Sequence, residues 1–327
     1  MSLIAPTVIW AIDFEDGRGH ICPPDRIGCA PERGNFRWLH LSLADQVVRG
    51  WIGGQERLPQ GLRALLLDPE QHQRAEVDGD WLGCVFHDVE RDFDTLETER
   101  TGVLRMVLGP DLMITARHHP VRSADLVRRH VERDGAVVHD AADALDLAIS
   151  SIIENVSAVT REQGRTIEAL EDDLLDERRG FDHRRLIHLR RRVVQFHRLL
   201  NGMRDVCRRM ERDADLPAGL QPTVERLSQR LGAIDGDMLS FHSQLRLLRE
   251  EADLQATQRT NQNLYVLSVL TALMLPPTLV TGFFGMNTGR LPFAHSPYGS
   301  LLAGGLCVIA SGIIYRLLRA MGLDERR

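Results

Sequence analysis

Hydrophobic residues recur along this chain with two different periods, and the change falls near residue 140. Before it, turn residues separate short apolar runs, which read TVIWAIDF, FRWLHLS, WLGCVFHDV, VLRMVL and LMITAR. Runs of this length are typical of β-strands, and the GPD between the last two predicts a hairpin. Helical spacing intervenes at about 43–52 and 61–67. Residues 1–138 therefore predict an α/β (or α+β) domain.

After residue 138 the apolar side chains recur three and four positions apart, which is typical of long helices packed along a narrow seam. The segments DERRGFD (176–182) and LPAGLQP (216–222) interrupt this pattern. The helix that restarts near Pro222 meets no breaker before Pro276. At 1.5 Å per residue, a helix over 223–286 approaches roughly 95 Å, which is longer than a globular domain needs. We predict a helical stalk over residues 139–259.

Two long apolar stretches lie near the C-terminus. Thr260–Gly289 contains thirty residues without a charged side chain or histidine, and Leu291–Tyr315 is similarly apolar. Each exceeds the roughly 20 residues that cross a bilayer. Arginines flank the pair on its outer ends, which predicts that both termini are cytoplasmic. We predict a membrane domain over 260–319, with helices at about 264–286 and 298–317, and a cytoplasmic tail over 320–327.

Composition narrows the function classes. A net charge of -6 argues against general nucleic-acid binding, which needs excess basic residues. Five scattered cysteines indicate a reducing compartment and no disulfide framework. We find no phosphate-binding loop, nucleophile elbow or other catalytic motif, so we expect neither an enzyme nor a catalytic cofactor.

Charge is unevenly divided between two predicted helices. Residues 182–212 hold ten arginines against three acids, while 161–177 hold seven acids against two arginines. One interpretation is a pair of complementary solvated helix faces. The other is electrostatic control of an ion entrance.

The first apolar stretch carries two consecutive prolines and a polar face. Pro276 and Pro277 lack backbone N–H groups, so they release carbonyls one turn earlier, near Ala272 and Leu273. Free carbonyls are tolerated at membrane depth only inside protein or beside water. One helix face combines three hydroxyls with apolar side chains, and these candidate pore-lining residues are Leu264, Leu267, Thr271, Met274, Leu275, Thr278 and Thr281. The alternative for each threonine is a hydrogen bond to its own helix.

Two spans cannot enclose a pore, so a conducting protein would need several copies that each contribute one helix.

Histidines and cysteines of the N-terminal part supply candidate metal ligands, but none has the paired spacing of a structural zinc site. These candidates are His20, Cys22, Cys29, His118 and His119. Cys84 and His87 would face opposite ways if they lie on one strand.

The sequence Gly285-Met286-Asn287, at the end of a proline-containing span and after a long helix, resembles the CorA family of metal-ion transporters. The resemblance covers the whole chain. It implies a funnel-shaped homopentamer in a bacterial inner membrane, with a pore lined by the first span. Gly285, Met286 and Asn287 would form its outer mouth, where asparagine amides could bind a hydrated divalent cation.

The loop after this motif reads TGRLPFAHSPY and carries Arg290 and His295 but no acid. It is similar to the loop of the zinc-transporting, ZntB-like branch, whereas magnesium-type members commonly have an acidic loop. The resemblance therefore implies Zn²⁺ as the transported ion. Magnesium, cobalt or nickel transport, or a membrane-anchored metal sensor without transport, remain the alternatives.

Overall fold

The computed structural model describes residues 8–27, 29–90, 100–176, 181–286 and 298–320. It divides into two compact units, Met1–Leu248 and Arg249–Arg327. The division falls within the longest helix and not near residue 139, where the hydrophobic period changes. The domain boundaries expected from the sequence therefore stay a prediction.

The first unit contains a mixed seven-stranded sheet. Its strands are β1 (Val8–Glu15), β2 (Arg18–Ile21), β3 (Phe36–Ser42), β4 (Arg74–Asp78), β5 (Trp81–Val89), β6 (Thr101–Leu108) and β7 (Leu112–Arg117). They are ordered β2-β1-β3-β7-β6-β5-β4. Among these described strands, β3 and β7 pair in parallel and the other neighbours pair antiparallel. The predicted hairpin is confirmed, because β6 and β7 pair antiparallel around Gly109 and Pro110.

Helices cover both faces of this sheet. On one face lie α1 (Gln46–Gly53) and α2 (Gln60–Leu67), whose apolar residues share a core with the sheet. Gly83 of β5 allows this approach, since a Cβ there would lie 2.7 Å from a Leu62 methyl carbon. One residue further along β5, Cys84 points the other way and contacts Met210, with 3.8 Å between the two sulfur atoms. Gly83 and Cys84 therefore face helices on opposite sides of the sheet, and the unit has three layers, α/β/α.

The second face carries α3 (Arg122–Glu132), α4 (Ala141–Leu175) and α5 (His183–Arg212). Asp88 of β5 is fully buried there and accepts hydrogen bonds from the Ser123 backbone N–H and the Asn155 amide. Burial raises the pKa of this carboxyl group. Asp88 therefore ties the sheet to the start of α3 and to α4.

The long helices follow the predicted spacing. Asp140 and Asp182 cap the N-termini of α4 and α5 with side-chain oxygens that accept backbone N–H bonds. The third, α6 (Gln221–Gly285), has 65 residues, and Pro276 and Pro277 lie inside it. Arg226 bonds Asp146 and Arg230 bonds Ser150, so α4 and α6 run parallel.

The second unit holds the C-terminal part of α6 and α7 (Gly299–Ala320). Both helices are long and apolar enough to span a membrane, with mean hydropathies of 1.8 and 1.9 in their most apolar windows. Almost none of either window is buried, at 6% and 0%. Core helices of soluble proteins are mostly buried, so this exposure favours membrane spans. The expected fold class, an α/β domain followed by long helices and two C-terminal apolar helices, is confirmed.

Candidate ion pathway

In the second unit, α7 packs against one face of α6 at the two prolines. Ser311 Oγ donates to the Leu273 carbonyl oxygen over 3.2 Å, and Cys307 Sγ lies 3.9 Å from the Pro277 carbonyl oxygen. Pro277 has no N–H to offer the carbonyl four residues earlier, which is that of Leu273. Ser311 replaces the missing donor, so this carbonyl is satisfied inside protein.

The threonine face points away from α7. At 100° per residue, Thr271 and Thr278 stand roughly 130° around the helix from the Leu273–Pro277 contact. Both threonines are exposed in the single chain. A groove of about 580 Å³ runs along this face, and its lining residues are Leu270, Thr271, Met274, Leu275, Thr278 and Leu279. This arrangement leaves a mixed hydroxyl and apolar face free for other copies or for water.

The hydroxyl protons of all three candidate threonines are used within the helix, although only Thr271 and Thr278 lie on the face opposite α7. Thr271 donates to the Leu267 carbonyl at 2.8 Å, Thr278 to that of Met274 at 2.7 Å, and Thr281 to that of Pro277 at 2.9 Å. The back-bonding alternative therefore holds for each threonine. A hydroxyl oxygen that donates its proton keeps lone pairs. The face can thus offer acceptors, but not donors, to a hydrated cation.

The predicted mouth lies at the C-terminal end of α6. Gly285 is the last helical residue, and the Met286 backbone N–H donates to the Phe283 carbonyl at 3.4 Å. Met286 is half-exposed. Asn287, Arg290 and His295 lie outside the described residues, so their roles stay predictions. Of the other predicted pore residues, Leu264, Leu267, Met274 and Leu275 are all exposed on α6.

The cytoplasmic metal candidates do not converge among the described residues. His20 is exposed on β2 opposite Asp13, and Cys29 is exposed in the following loop. Cys22 is buried, and burial raises the pKa of its thiol to about 11. Metals bind the thiolate, so a protonated buried thiol is a poor ligand.

The remaining candidates are also separate. His118 and His119 are adjacent and exposed after β7, while Cys84 and His87 both lie on β5, with Cys84 fully buried. Within the part of the chain that the structure describes, no three His, Cys, Asp or Glu side chains are grouped to hold a metal ion. A cytoplasmic metal site formed by these residues stays a prediction.

Sequence reasoning missed the part that α7 plays. Its side chains at the contact are small, because Cys307 and Ser311 are four positions apart with Gly304 preceding them and Gly312 following. Small residues at this spacing allow membrane helices to approach closely. That signal, together with the prolines of α6, could have identified the packed face and therefore the free one.

Comparisons with known proteins agree with this architecture. The family model described as CorA-like Mg2+ transporter protein matches residues 33–320. The zinc transport protein ZntB of Photorhabdus laumondii is 26% identical over 326 residues, covering 96% of this chain and 94% of that protein. The divalent cation transporter CmaX of Pseudomonas aeruginosa is 26% identical over 308 residues, covering 86% of each chain.

Two solved structures share the fold over nearly the whole chain. Full-length CmaX superposes with a TM-score of 0.79 at 23% identity, covering 95% of this chain and 98% of that one. The CorA magnesium transporter of Methanocaldococcus jannaschii gives a TM-score of 0.77 at 20% identity with the same coverages. The family match spans most of the sequence and includes both apolar helices. The chain therefore belongs to the CorA-like family of metal-ion transporter proteins.

Proposed function

We propose that this protein transports divalent metal ions, with Zn²⁺ as its main cargo, across a bacterial inner membrane. Five copies would each contribute the C-terminal part of α6 to a central pore, and Gly285, Met286 and Asn287 would form its outer mouth. Both termini would be cytoplasmic. The metal ion would be the cargo and not a catalytic cofactor.

One observation carries this proposal: α7 covers one face of α6 and leaves the Thr271–Thr278 face free. A pore helix needs one face for its neighbours and one for the ions, and α6 divides in this way. Apolar side chains alternate with hydroxyl oxygens along the free face. Such a face suits a hydrated divalent ion that passes with most of its water still bound. A signalling anchor would not need this division.

The choice of zinc rests on the outer loop and on the relatives. No acid follows the Gly-Met-Asn motif up to Tyr298, so the mouth lacks the negative charge that would concentrate abundant cations. Four of the similar curated proteins from different genera, in Photorhabdus, Yersinia, Klebsiella and Pectobacterium, are named zinc transport proteins.

Thiol labelling of the free face tests the proposal. Thr278→Cys is introduced with Cys29→Ser and Cys307→Ser, which remove the accessible native thiols, and the protein is reconstituted into vesicles. A positively charged, water-soluble thiol reagent should reach Cys at position 278 and block zinc uptake, because it places a fixed charge in the ion path.

Val308→Cys in the same background is the matched control, since Val308 is an exposed apolar residue of α7. The reagent should leave zinc uptake by this variant unchanged. Equal inhibition of both variants, or none at position 278 after labelling has been verified by mass, would contradict an α6-lined pathway.

A further inference from the structure

A cleft of about 890 Å³ opens between α5 and the region where β4 and β5 lie, wholly within the first unit. Its volume is in the range of small-molecule sites, roughly 300–1,000 Å³. Four residues form the wall opposite α5. His72 and Gln73 precede β4, His87 lies on β5, and Thr101 is the first residue of β6. None of these residues belongs to the proposed ion pathway.

The cleft is held open by a fixed side chain. Gln73 donates from Nε2 to the Leu199 carbonyl at 3.0 Å, and its Oε1 accepts from the His87 backbone N–H at 3.2 Å. Gly202 of α5 permits this bridge, because a Cβ there would lie 2.0 Å from Gln73 Nε2. The floor of the cleft is therefore part of the folded structure and not a chance gap.

Its charge is strongly positive. Five arginines line it, namely Arg190, Arg191, Arg192, Arg198 and Arg209. Asp205 is the single acid among the described lining residues. Four of the arginines, all except Arg192, are exposed, and none of those four forms an ion pair with a carboxylate of the described residues. Arg191, Arg198 and Arg209 are seven and eleven positions apart, so they share one face of α5.

Arginines gathered in this way match a multiply charged anion. The planar guanidinium group pairs with phosphate through two parallel hydrogen bonds. A phosphate ester carries about -1.5 to -2 charges near neutral pH, so about two phosphate groups would balance the excess of the four exposed arginines over Asp205. Apolar side chains of Ile187, Val194 and Val206 line the same cleft and provide contact for an organic group.

We propose that this cleft binds a small organic polyphosphate of nucleotide size. The proposal is independent of transport, because binding can be measured on the purified protein without ion flux. It also assigns the arginine-rich α5 a binding function, which differs from the interpretation of a solvated helix face. The shared chemistry is phosphate, which a soluble nucleotide or a lipid headgroup could supply, and the experiment separates the two.

Calorimetric titration of the full-length protein in detergent tests the site, at constant ionic strength and without added metal. ATP, inorganic pyrophosphate and adenosine are the probes. We expect one ATP per chain, weaker binding of pyrophosphate, and no binding of adenosine, since the arginines recognise phosphate and the apolar residues add to it. Anionic phosphatidylglycerol, added as mixed micelles with the same detergent, should not displace ATP.

Two charge-reversal variants separate a site from general attraction. Arg191→Glu with Arg198→Glu should weaken ATP binding by about tenfold or more, because each removes a charge-assisted hydrogen bond. Arg184→Glu with Arg208→Glu reverses the same charge on exposed positions of α5 outside the cleft, and should change affinity by less than about threefold. Both variants should retain the helical circular dichroism of the parent.

Three outcomes would overturn the proposal. Equal losses in the two variants would mean that ATP responds to the general charge of α5. Displacement of ATP by the phosphatidylglycerol micelles would assign the cleft to lipid. Binding that appears only after Asp92, Asp94, Glu97 and Glu99 are changed to their amides would mean that acids of the chain itself already occupy it.

Discussion

Ser311 explains at the scale of single residues how α6 accommodates Pro277 within a membrane span. A proline inside a helix removes one donor, and the orphaned carbonyl costs free energy in hydrocarbon because no water is present. The Ser311 hydroxyl supplies that donor to Leu273 from the neighbouring helix. The proline therefore helps to join the two spans, since it leaves a carbonyl that Ser311 of α7 satisfies.

Ser311→Ala should lower the stability of the membrane hairpin by about 1 kcal/mol, the usual net value of one hydrogen bond. The fall in the thermal unfolding midpoint, followed by circular dichroism in detergent, measures it. Ser311→Thr should restore most of the loss, because it keeps the hydroxyl. Ser268→Ala, at an exposed position of α6, is the control. An equal effect at Ser268 would contradict a specific role for Ser311.

His40 is the second residue whose environment predicts a measurable effect. Its Nε2 accepts from Arg117 Nε at 3.0 Å, and its Nδ1 lies 2.9 Å from Thr115 Oγ1. Burial, with a smaller contribution from the Arg117 charge, lowers the pKa of His40 from 6.5 to about 3. The imidazole is thus neutral in the folded protein, where one nitrogen must stay free to accept.

The unfolded chain takes up this proton near pH 6.5, so between roughly pH 6.5 and 3 it binds one proton more than the folded chain. Stability should fall as the pH falls, by up to about 1.4 kcal/mol per pH unit from this group. His40→Gln should be less stable throughout but should show a shallower slope. Unfolding followed by tryptophan fluorescence at several pH values measures this slope, because all four tryptophans (Trp10, Trp38, Trp51 and Trp81) lie in the sheet domain. Identical slopes in both proteins would contradict the buried neutral imidazole.

At the scale of elements, the long helices could be predicted from the sequence, but the short edge strands could not. The apolar spacing located α4, α5 and the first half of the 65-residue α6 closely, because each buries one continuous stripe, which in α6 runs from Val224 to Ala252. The edge strands β2 and β4 were not predicted, since Arg18–Ile21 and Arg74–Asp78 expose much of their length and lack a clear alternation. The helix α3 was missed as well, because charged residues dominate its 11 positions.

The candidate ion pathway and the arginine-lined cleft could also be predicted only in part. The threonine spacing gave the polar face of α6, but which face α7 covers depends on contacts between distant residues, such as Ser311 and Leu273. The arginine count of α5 was visible in the sequence. Which arginines share a cleft was not, because that depends on where Gln73 meets Gly202.

A buried ion pair joins α5 and α6 and allows a test at this scale. Asp235 is 3% exposed on α6 and pairs with Arg204, with His197 Nε2 3.3 Å from its other oxygen. Asp235→Leu leaves Arg204 without its carboxylate and should cost about 3–5 kcal/mol, because an unpaired charge then stays partly buried. The double variant Arg204→Met with Asp235→Leu should recover most of this loss.

Thermal unfolding of the two single variants and the double variant, followed by helical circular dichroism, gives the coupling between the residues. A double variant that is less stable than Asp235→Leu alone would contradict the assignment of the cost to the orphaned charge.

At the scale of the whole molecule, the proposed pore requires that the two spans of one chain combine with those of other copies. Most of the apolar side chains of α6 beyond residue 263, and of α7, are exposed in the single chain. Lipid can cover some of them, but hydroxyl oxygens on the free face are better placed against water or a neighbouring copy. This requirement supports an assembly around an axis and not a single hairpin in lipid.

We expect five chains per particle. Light scattering of the protein in mild detergent, corrected for bound detergent, measures this number. A monomer or dimer that still transports zinc would contradict the pore, because so few spans cannot surround an ion path.

Zinc flux through the mouth tests the central claim most directly. Purified protein in vesicles should take up Zn²⁺ in a saturable manner. Asn287→Ala should abolish most of that uptake while the assembly persists, since the substitution removes the proposed ring of amides but keeps α6, which ends at Gly285. Asn263→Ala removes an exposed amide from the other end of the span and should leave the flux near that of the parent. Near-normal zinc uptake by Asn287→Ala, with particles of unchanged size, would contradict the account.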